Sequence, residues 1–301
     1  MMKTLVCFGL ALLATVSLAD EPYILVLGVA QDAGYPQAAC FRPHCMPGWQ
    51  DRDKRITASS IAVVGRDASY LFDATPHFPD QLYRLNSSAP DAPLDGIFLT
   101  HAHMGHYTGL MHLGREAMGA KAMPVFAMPR MKQFLENNGP WSQLVGLQNI
   151  ALRPLQDASP VNLGAITVTP FAVPHRDEYS ETVGYRIDGP NKSAVFIPDI
   201  DKWEKWETDI VDVVRDVDYA LLDATFFADG ELPNRAMSEV PHPFVVESMA
   251  LFERLPADEK QRVVFIHMNH TNPMLDPDSE ASEAVTSAGY RIAREGLRLA
   301  L

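Results

Sequence analysis

The stretch Thr100-His101-Ala102-His103-Met104-Gly105-His106-Tyr107-Thr108-Gly109-Leu110 places three histidines within six residues. It follows an apolar run, Gly96-Ile97-Phe98-Leu99, that reads as a buried strand, and it precedes a helix-like segment, Tyr107–Gly119. Imidazoles brought to short range on a loop leaving a strand suit a transition metal such as zinc. A cluster of surface histidines without function is the alternative that any such motif carries.

Further polar residues stand where apolar runs stop. His175 follows Phe171-Ala172-Val173-Pro174, and His267 follows Val263-Val264-Phe265-Ile266. Asp199 follows Val195-Phe196-Ile197-Pro198, with Asp201 two residues on and competing for the same role. Asp199 is preferred because it lies nearer the strand end. Each alone reads as a buried polar residue satisfied by its neighbours, but together behind a histidine triplet they suggest a site. His242, in Val240-Pro241-His242-Pro243, is either a residue at the mouth of that site or an ordinary loop histidine.

The elements that must position these residues alternate between sheet and helix. Strands are expected at Tyr23–Val29, Ser60–Val64, Ser69–Phe72, Pro124–Met128, Ile166–Val173, Thr182–Ile187, Ser193–Ile197, Tyr219–Leu222 and Arg262–Ile266. Helices are expected at Phe78–Leu85, Arg130–Asn138, Trp203–Val214 and Phe244–Leu255, with Pro129 suited to a first helical position. Gln31–Cys45, with glycine, prolines and no period, is a loop. No linker, repeat or charge block divides the chain, so one layered α/β domain is expected over residues 20–301.

Of the 301 residues, 47% are hydrophobic and 21% charged, an ordinary globular balance. Lys3, the apolar run Leu5–Val16 and Ser17-Leu18-Ala19 have the form of a signal peptide cleaved before Asp20. That run is short for a membrane span, and Cys7 sits inside it rather than at its end. An exported (periplasmic or secreted) protein without a membrane anchor is expected. The net charge of −13 disfavours a nucleic-acid partner, because phosphate contacts need clustered lysine and arginine. After cleavage only Cys40 and Cys45 remain, and in an exported chain two cysteines most simply form a disulfide.

The histidine spacing resembles the H-x-H-x-D-H signature of the metallo-β-lactamase superfamily, with Gly105 where that family has aspartate. The order histidine triplet, histidine, aspartate, histidine matches too, over nearly all of the mature chain. Within that superfamily, Gly28-Val29-Ala30-Gln31-Asp32-Ala33-Gly34-Tyr35-Pro36-Gln37, Leu222-Asp223-Ala224-Thr225-Phe226 and His267-Met268-Asn269-His270-Thr271-Asn272-Pro273 resemble the pyrroloquinoline-quinone biosynthesis B family. The resemblance implies a four-layered αββα sandwich. It implies a first metal on His101, His103 and His175, a second on His106 and His267, and Asp199 between them. Asp73, after Tyr70-Leu71-Phe72, resembles the family's early aspartate that supports the metal loop. Without a carboxylate at 105 the second metal is expected to bind weakly, and Gly105→Asp to restore it. Zinc is the expected ion, with iron and manganese as alternatives.

A related branch, the phosphodiesterase of the carbon–phosphorus lyase pathway, has a C-x-C-x-x-C loop and a second histidine on a structural zinc. Cys40, Arg42 and Cys45 occupy that register, and His44 replaces the middle cysteine. Cys40, His44, Cys45 and His270 thus form a zinc set of ordinary composition, preferred to the disulfide because it gives His270 a purpose.

The expected activity is hydrolysis of a small ester, lactone or phosphodiester by a metal-bound hydroxide, with Asp199 and His106 as catalytic residues. No G-x-S-x-G elbow supports covalent acyl chemistry. Two rivals stand beside it: an iron-dependent oxidative role in quinone-cofactor maturation, and metal or ligand binding without turnover. A homodimer is an open alternative for the assembly.

Overall fold

The computed structural model describes residues 21–232 and 235–301. The segment read as a signal peptide lies outside the described residues. The first half supplies β1 (Tyr23–Gly28), β2 (Ser60–Val64), β3 (Ser69–Phe72), β4 (Leu94–Phe98), β5 (Met123–Ala127) and β6 (Ile150–Pro154). The second supplies β7 (Val161–Asn162), β8 (Thr167–Ala172), β9 (Val183–Asp188), β10 (Ser193–Ile197), β11 (Tyr219–Asp223), β12 (Val263–Ile266) and β13 (Arg291–Ile292). The last strand, β14 (Arg298–Ala300), returns to pair with β1. Two seven-stranded sheets result, ordered β14-β1-β2-β3-β4-β5-β6 and β13-β12-β11-β10-β9-β8-β7.

The two sheets are built alike. In each, a run of antiparallel strands (β1-β2-β3, β7-β8-β9-β10) gives way to parallel ones (β3-β4-β5-β6, β10-β11-β12-β13). Side chains alternate faces along a strand, so a strand covered on both sides reads as a continuous apolar run. In β1, Ile24 and Val26 face the other sheet, whereas Leu25 and Leu27 face the helices Phe78–Ser88 and Pro129–Asn137. In β2, Ile61 and Val63 point inward, and Ala62 and Val64 outward. The second sheet is covered in turn by Ile210, Val214, Val245, Phe252 and Val285 from helical segments of the second half. Four layers, helix–sheet–sheet–helix, follow as expected.

Between the sheets the contact is aromatic. Phe98, at the end of β4, stacks on Phe126 at 4.2 Å and on Phe72 at 5.0 Å, and Tyr185 of β9 meets it edge-on at 5.7 Å. The Tyr185 hydroxyl donates to the Leu99 carbonyl and the Val183 amide to that of Thr100. The metal-loop strand is therefore tied directly to the opposing sheet.

Several expected elements differ. Tyr107–Gly119 is not one helix: a single turn, Met104–Tyr107, leads into a 3-10 segment, Thr108–Leu113. Gly109 packs against the Ala74 and Thr75 carbonyls where a Cβ would collide, and that approach, with glycines at 105 and 114, replaces a regular helix. Trp203–Val214 is likewise split, because Asp209 caps a new helix, Ile210–Arg215, by accepting from the Val211 amide. The helix begun at Val245 gives way to a 3-10 turn after Leu251. Strands β6, β7, β13 and β14 and the helix Glu280–Ser287 were not expected from the pattern.

Candidate metal centre

Nearly every residue singled out by chemistry stands at the C-terminal end of a strand. Asp73 follows β3, Asp199 follows β10, Asp223 ends β11 and His267 follows β12, all within the parallel parts of the sheets. His101, His103 and His106 leave β4, while His175 follows β8. Open parallel sheets present their sites at these carboxyl ends, because connections cross back there and leave a crevice.

Asp199 sits among six imidazoles, those of His101, His103, His106, His175, His242 and His267. Its carboxylate oxygens lie 3.4 Å from His101 Nε2, 3.9 Å from His103 Nδ1, 3.3 Å from His175 Nε2 and 3.8 Å from His106 Nε2. His101 Nε2 and His103 Nδ1 are 2.8 Å apart. Donors arranged tetrahedrally around zinc at ordinary bond lengths are separated by about 3.4 Å. Donor atoms of His101, His103, His175 and Asp199 all lie within 4.8 Å of one another, as do those of Asp199, Asp223 and His267.

For four of these imidazoles, those of His101, His103, His106 and His267, the nitrogen facing away from this point is hydrogen-bonded. His106 Nδ1–H donates to Asp73 Oδ2 at 2.7 Å, and His103 Nε2–H donates to Glu178 at 3.1 Å. Thr100 gives its hydroxyl proton to Asp73 and accepts from His101 Nδ1 at 2.9 Å. Thr225 gives its proton to Asp223 and accepts from His267 Nδ1 at 3.0 Å. His175 Nδ1 stands 3.4 Å from Asp201 Oδ1 without a hydrogen bond between them, and the other Asp201 oxygen accepts from Lys205. Such outer contacts fix tautomer and ring orientation in metal sites. The inward atoms His106 Nε2, His175 Nε2, His267 Nε2 and Asp199 Oδ1 are buried without a hydrogen-bond partner. Orphaned buried polar atoms are rare in proteins, and a cation accounts for them. The residues present therefore fit a metal.

Charge divides the cluster: against their burial, Asp73 and Asp32 hold His106 well above the ordinary imidazole range, and Asp199 and Glu178 raise His103. Burial pushes His101 well below the ordinary imidazole range, with His106 and His103 adding to it against the pull of Asp199. His267 is lowered by burial as well, which favours the neutral, ligating form. Burial works to raise Asp199, yet His175 and His242 beside it hold it well below the usual carboxylate range. His242 is buried, not a surface loop residue. Its Nδ1 is 2.9 Å from Asp223 and 3.2 Å from Asp199, and against its burial these carboxylates raise it to about 9.

The second candidate set also converges. Cys40, His44, Cys45 and His270 have donor atoms within 4.8 Å of one another, and the His44 and His270 rings are 5.7 Å apart. Cys40 and Cys45 are, however, bonded to each other here as a disulfide, with Cα atoms 6.0 Å apart, the alternative to the preferred zinc. Burial, with His44 and Arg42 nearby, lowers His270 to about 4.

Two residues escaped the sequence reading. Asp223 supports His267 and His242 as Asp73 supports His101 and His106. Its signal was a repeat, Phe72-Asp73-Ala74-Thr75 and Leu222-Asp223-Ala224-Thr225, at the carboxyl ends of β3 and β11. The other is Asp32, whose Oδ1 lies 3.3 Å from His106 Nε2 and groups with His106 and His267. A cavity of about 520 Å³ opens beside the site, lined by Arg176, Lys205, Arg235, His242, Asn269 and His270 among others. The larger cavity, about 630 Å³, lies away from it among apolar side chains such as Phe78, Leu82 and Met118.

A family profile described as a β-lactamase superfamily domain matches residues 69–268. Coenzyme PQQ synthesis protein B of Xanthomonas campestris pv. campestris (strain B100) is 26% identical over 305 residues, covering 92% of this chain and 99% of its own length. Zn(2+)-bound PqqB from Methylobacterium extorquens has a similar fold, with a TM-score of 0.77, 22% identity, and 93% and 100% of the two chains covered. A diphosphatase of the PhnP family has a TM-score of 0.66 at 22% identity, covering 93% of this chain and 97% of its own. The resemblances drawn from short motifs thus extend over the whole fold.

Proposed function

The chain belongs to the β-lactamase superfamily, and on that premise we propose that it is an exported metal-dependent hydrolase of a small anionic ester, lactone or phosphodiester. One observation carries the reading: four imidazoles, each hydrogen-bonded from behind, and that of His175 turn a nitrogen toward one buried carboxylate, Asp199. His101, His103 and His175 would hold a first metal and His106 and His267 a second, with Asp199 within reach of both sets. When bound, such a metal lowers the pKa of water and stabilises charge developing on the substrate. Asp199 orients the attacking water and takes its proton. His242, against both Asp199 and Asp223 and on the cavity wall, faces the leaving group. Arg176 and Arg235 on that cavity wall, beside the Lys205–Asp201 ion pair and Glu239, leave it a small positive excess that favours an anionic substrate in an otherwise acidic protein.

The test is turnover by protein loaded separately with Zn²⁺, Mn²⁺ or Fe²⁺ on a panel of phosphodiesters, carboxylic esters and lactones. Chelator should abolish activity, anionic members should be preferred, and His103→Ala should lower kcat/KM by roughly a hundredfold or more and remove the tight metal. Tight metal without turnover on any member would leave a binding protein. The similarity to a PQQ synthesis protein favours one second reading, an oxidative step in quinone-cofactor formation. Stoichiometric iron in native protein with dioxygen-dependent turnover would select it.

A further inference from the structure

Gly105 removes the aspartate that would serve a second metal, but the structure does not leave that place bare. A Cβ built on Gly105 would collide with the Cα and Oδ1 of Asp32 and fall 2.8 Å from its Cβ. Asp32 belongs to the loop after β1, far from the histidine motif in sequence. Its Oδ1 is buried without a hydrogen-bond partner and stands 3.3 Å from His106 Nε2. Donor atoms of Asp32, His106 and His267 lie within 4.8 Å of one another. Both histidines are fully enclosed, with Nδ1 held by Asp73 and Thr225 and Nε2 lacking a partner.

The backbone is shaped for this delivery. Asp32 is in the left-handed region at φ 32°, as are Asp73 at 66° and His267 at 68°. Non-glycine residues in that region are uncommon and cluster at functional sites. The loop is pinned on the His267 side: the Gln31 amide donates to the Met268 carbonyl at 2.8 Å, and Ala30 pairs with Met268. Asp32 and Gly105 thus fill one volume between them. Where the side chain comes from residue 32, residue 105 must have none.

We propose that Asp32 is the carboxylate ligand of the second metal, transplanted from the histidine loop to the loop after β1, and that Gly105 is the space it requires. The second site then has His106, His267, Asp32 and the shared Asp199, a full set of four donors. Second-metal binding is accordingly not weak, and Gly105→Asp does not strengthen it, which revises the expectation drawn from the motif alone.

The inference rests on the two-metal reading of the Asp199 cluster, and zinc stoichiometry separates the two. Chelator-competition titration of the metal-free full chain with Zn²⁺ should resolve two ions in the wild type. Asp32→Asn tolerates the left-handed backbone and keeps the side-chain shape. It should retain the first ion and weaken the second by more than the roughly 10–100-fold that losing an outer hydrogen-bond partner costs. Gly105→Asp should also weaken the second ion, because its Cβ would meet both the side chain and the Cα of Asp32. Circular dichroism on each variant shows whether the fold is kept. Second-ion affinity unchanged in Asp32→Asn but lost in His267→Ala overturns the assignment to Asp32. One ion only in the wild type, removed by His103→Ala, overturns it too while sparing the first site. No bound zinc at all overturns the two-metal reading itself.

Discussion

Asp73 and Asp223 show how much of the site depends on residues that need not touch a metal. Asp73 is fully buried, accepts from the Thr100 amide at 2.8 Å and from its hydroxyl, and orients both His101, through Thr100, and His106 directly. Asp73→Asn keeps the shape but replaces one acceptor oxygen by a donor, so His106 Nδ1–H or Thr100 loses its partner. Metal affinity should fall by roughly 10–100-fold, with the ion on His106 more affected than that on His175, which Asp73 does not reach. Competition with a chromophoric chelator measures this. Equal affinity in variant and wild type would show that the imidazoles orient without it.

At the scale of elements, the site is a property of loops rather than of helices. Helices outside the sheets bury their apolar faces and leave the strand ends free, and the segments next to the histidines are short turns. The loop Gln31–Cys45 contributes twice, through Asp32 to the metal centre and through Cys40 and Cys45 to its own closure. Protein isolated under oxidising conditions should have an intact mass two hydrogens below the dithiol form and no free thiol after denaturation without reductant. Opening so small a loop should cost about 2 kcal/mol of stability by chain entropy. Two free thiols in that experiment, released together with zinc on chelation, would instead place a metal on Cys40, His44, Cys45 and His270.

Across the whole molecule, the aromatic contact between the sheets couples stability to the site. Phe98 is fully buried between Phe72, Phe126 and Tyr185, two residues before Thr100. Phe98→Ala removes a large core side chain at a cost of about 3–5 kcal/mol, lowering Tm by on the order of 10 °C. Scanning calorimetry of metal-free protein reads that loss separately from any weaker metal binding. A shift of only a degree or two would mean that the neighbouring rings close the space.

The two-faced strands were legible from sequence because Tyr23–Gly28 and Ser60–Val64 bury alternate residues in different layers and so must be apolar throughout. His101, His103 and His106 were legible for a related reason: ligand spacing within one loop is local, and a strand ending before it shows as an apolar run stopping. Helix continuity was not, since Gly109 against the Thr75 carbonyl is a contact between separate segments. Nor was the convergence of distant strand ends. Asp223 could be matched with Asp73 only once each was seen to accept from a threonine hydroxyl that holds a histidine of the cluster. Only the tertiary structure brought Asp32 against Gly105, because a missing side chain in one loop reveals nothing local about which other loop fills its volume.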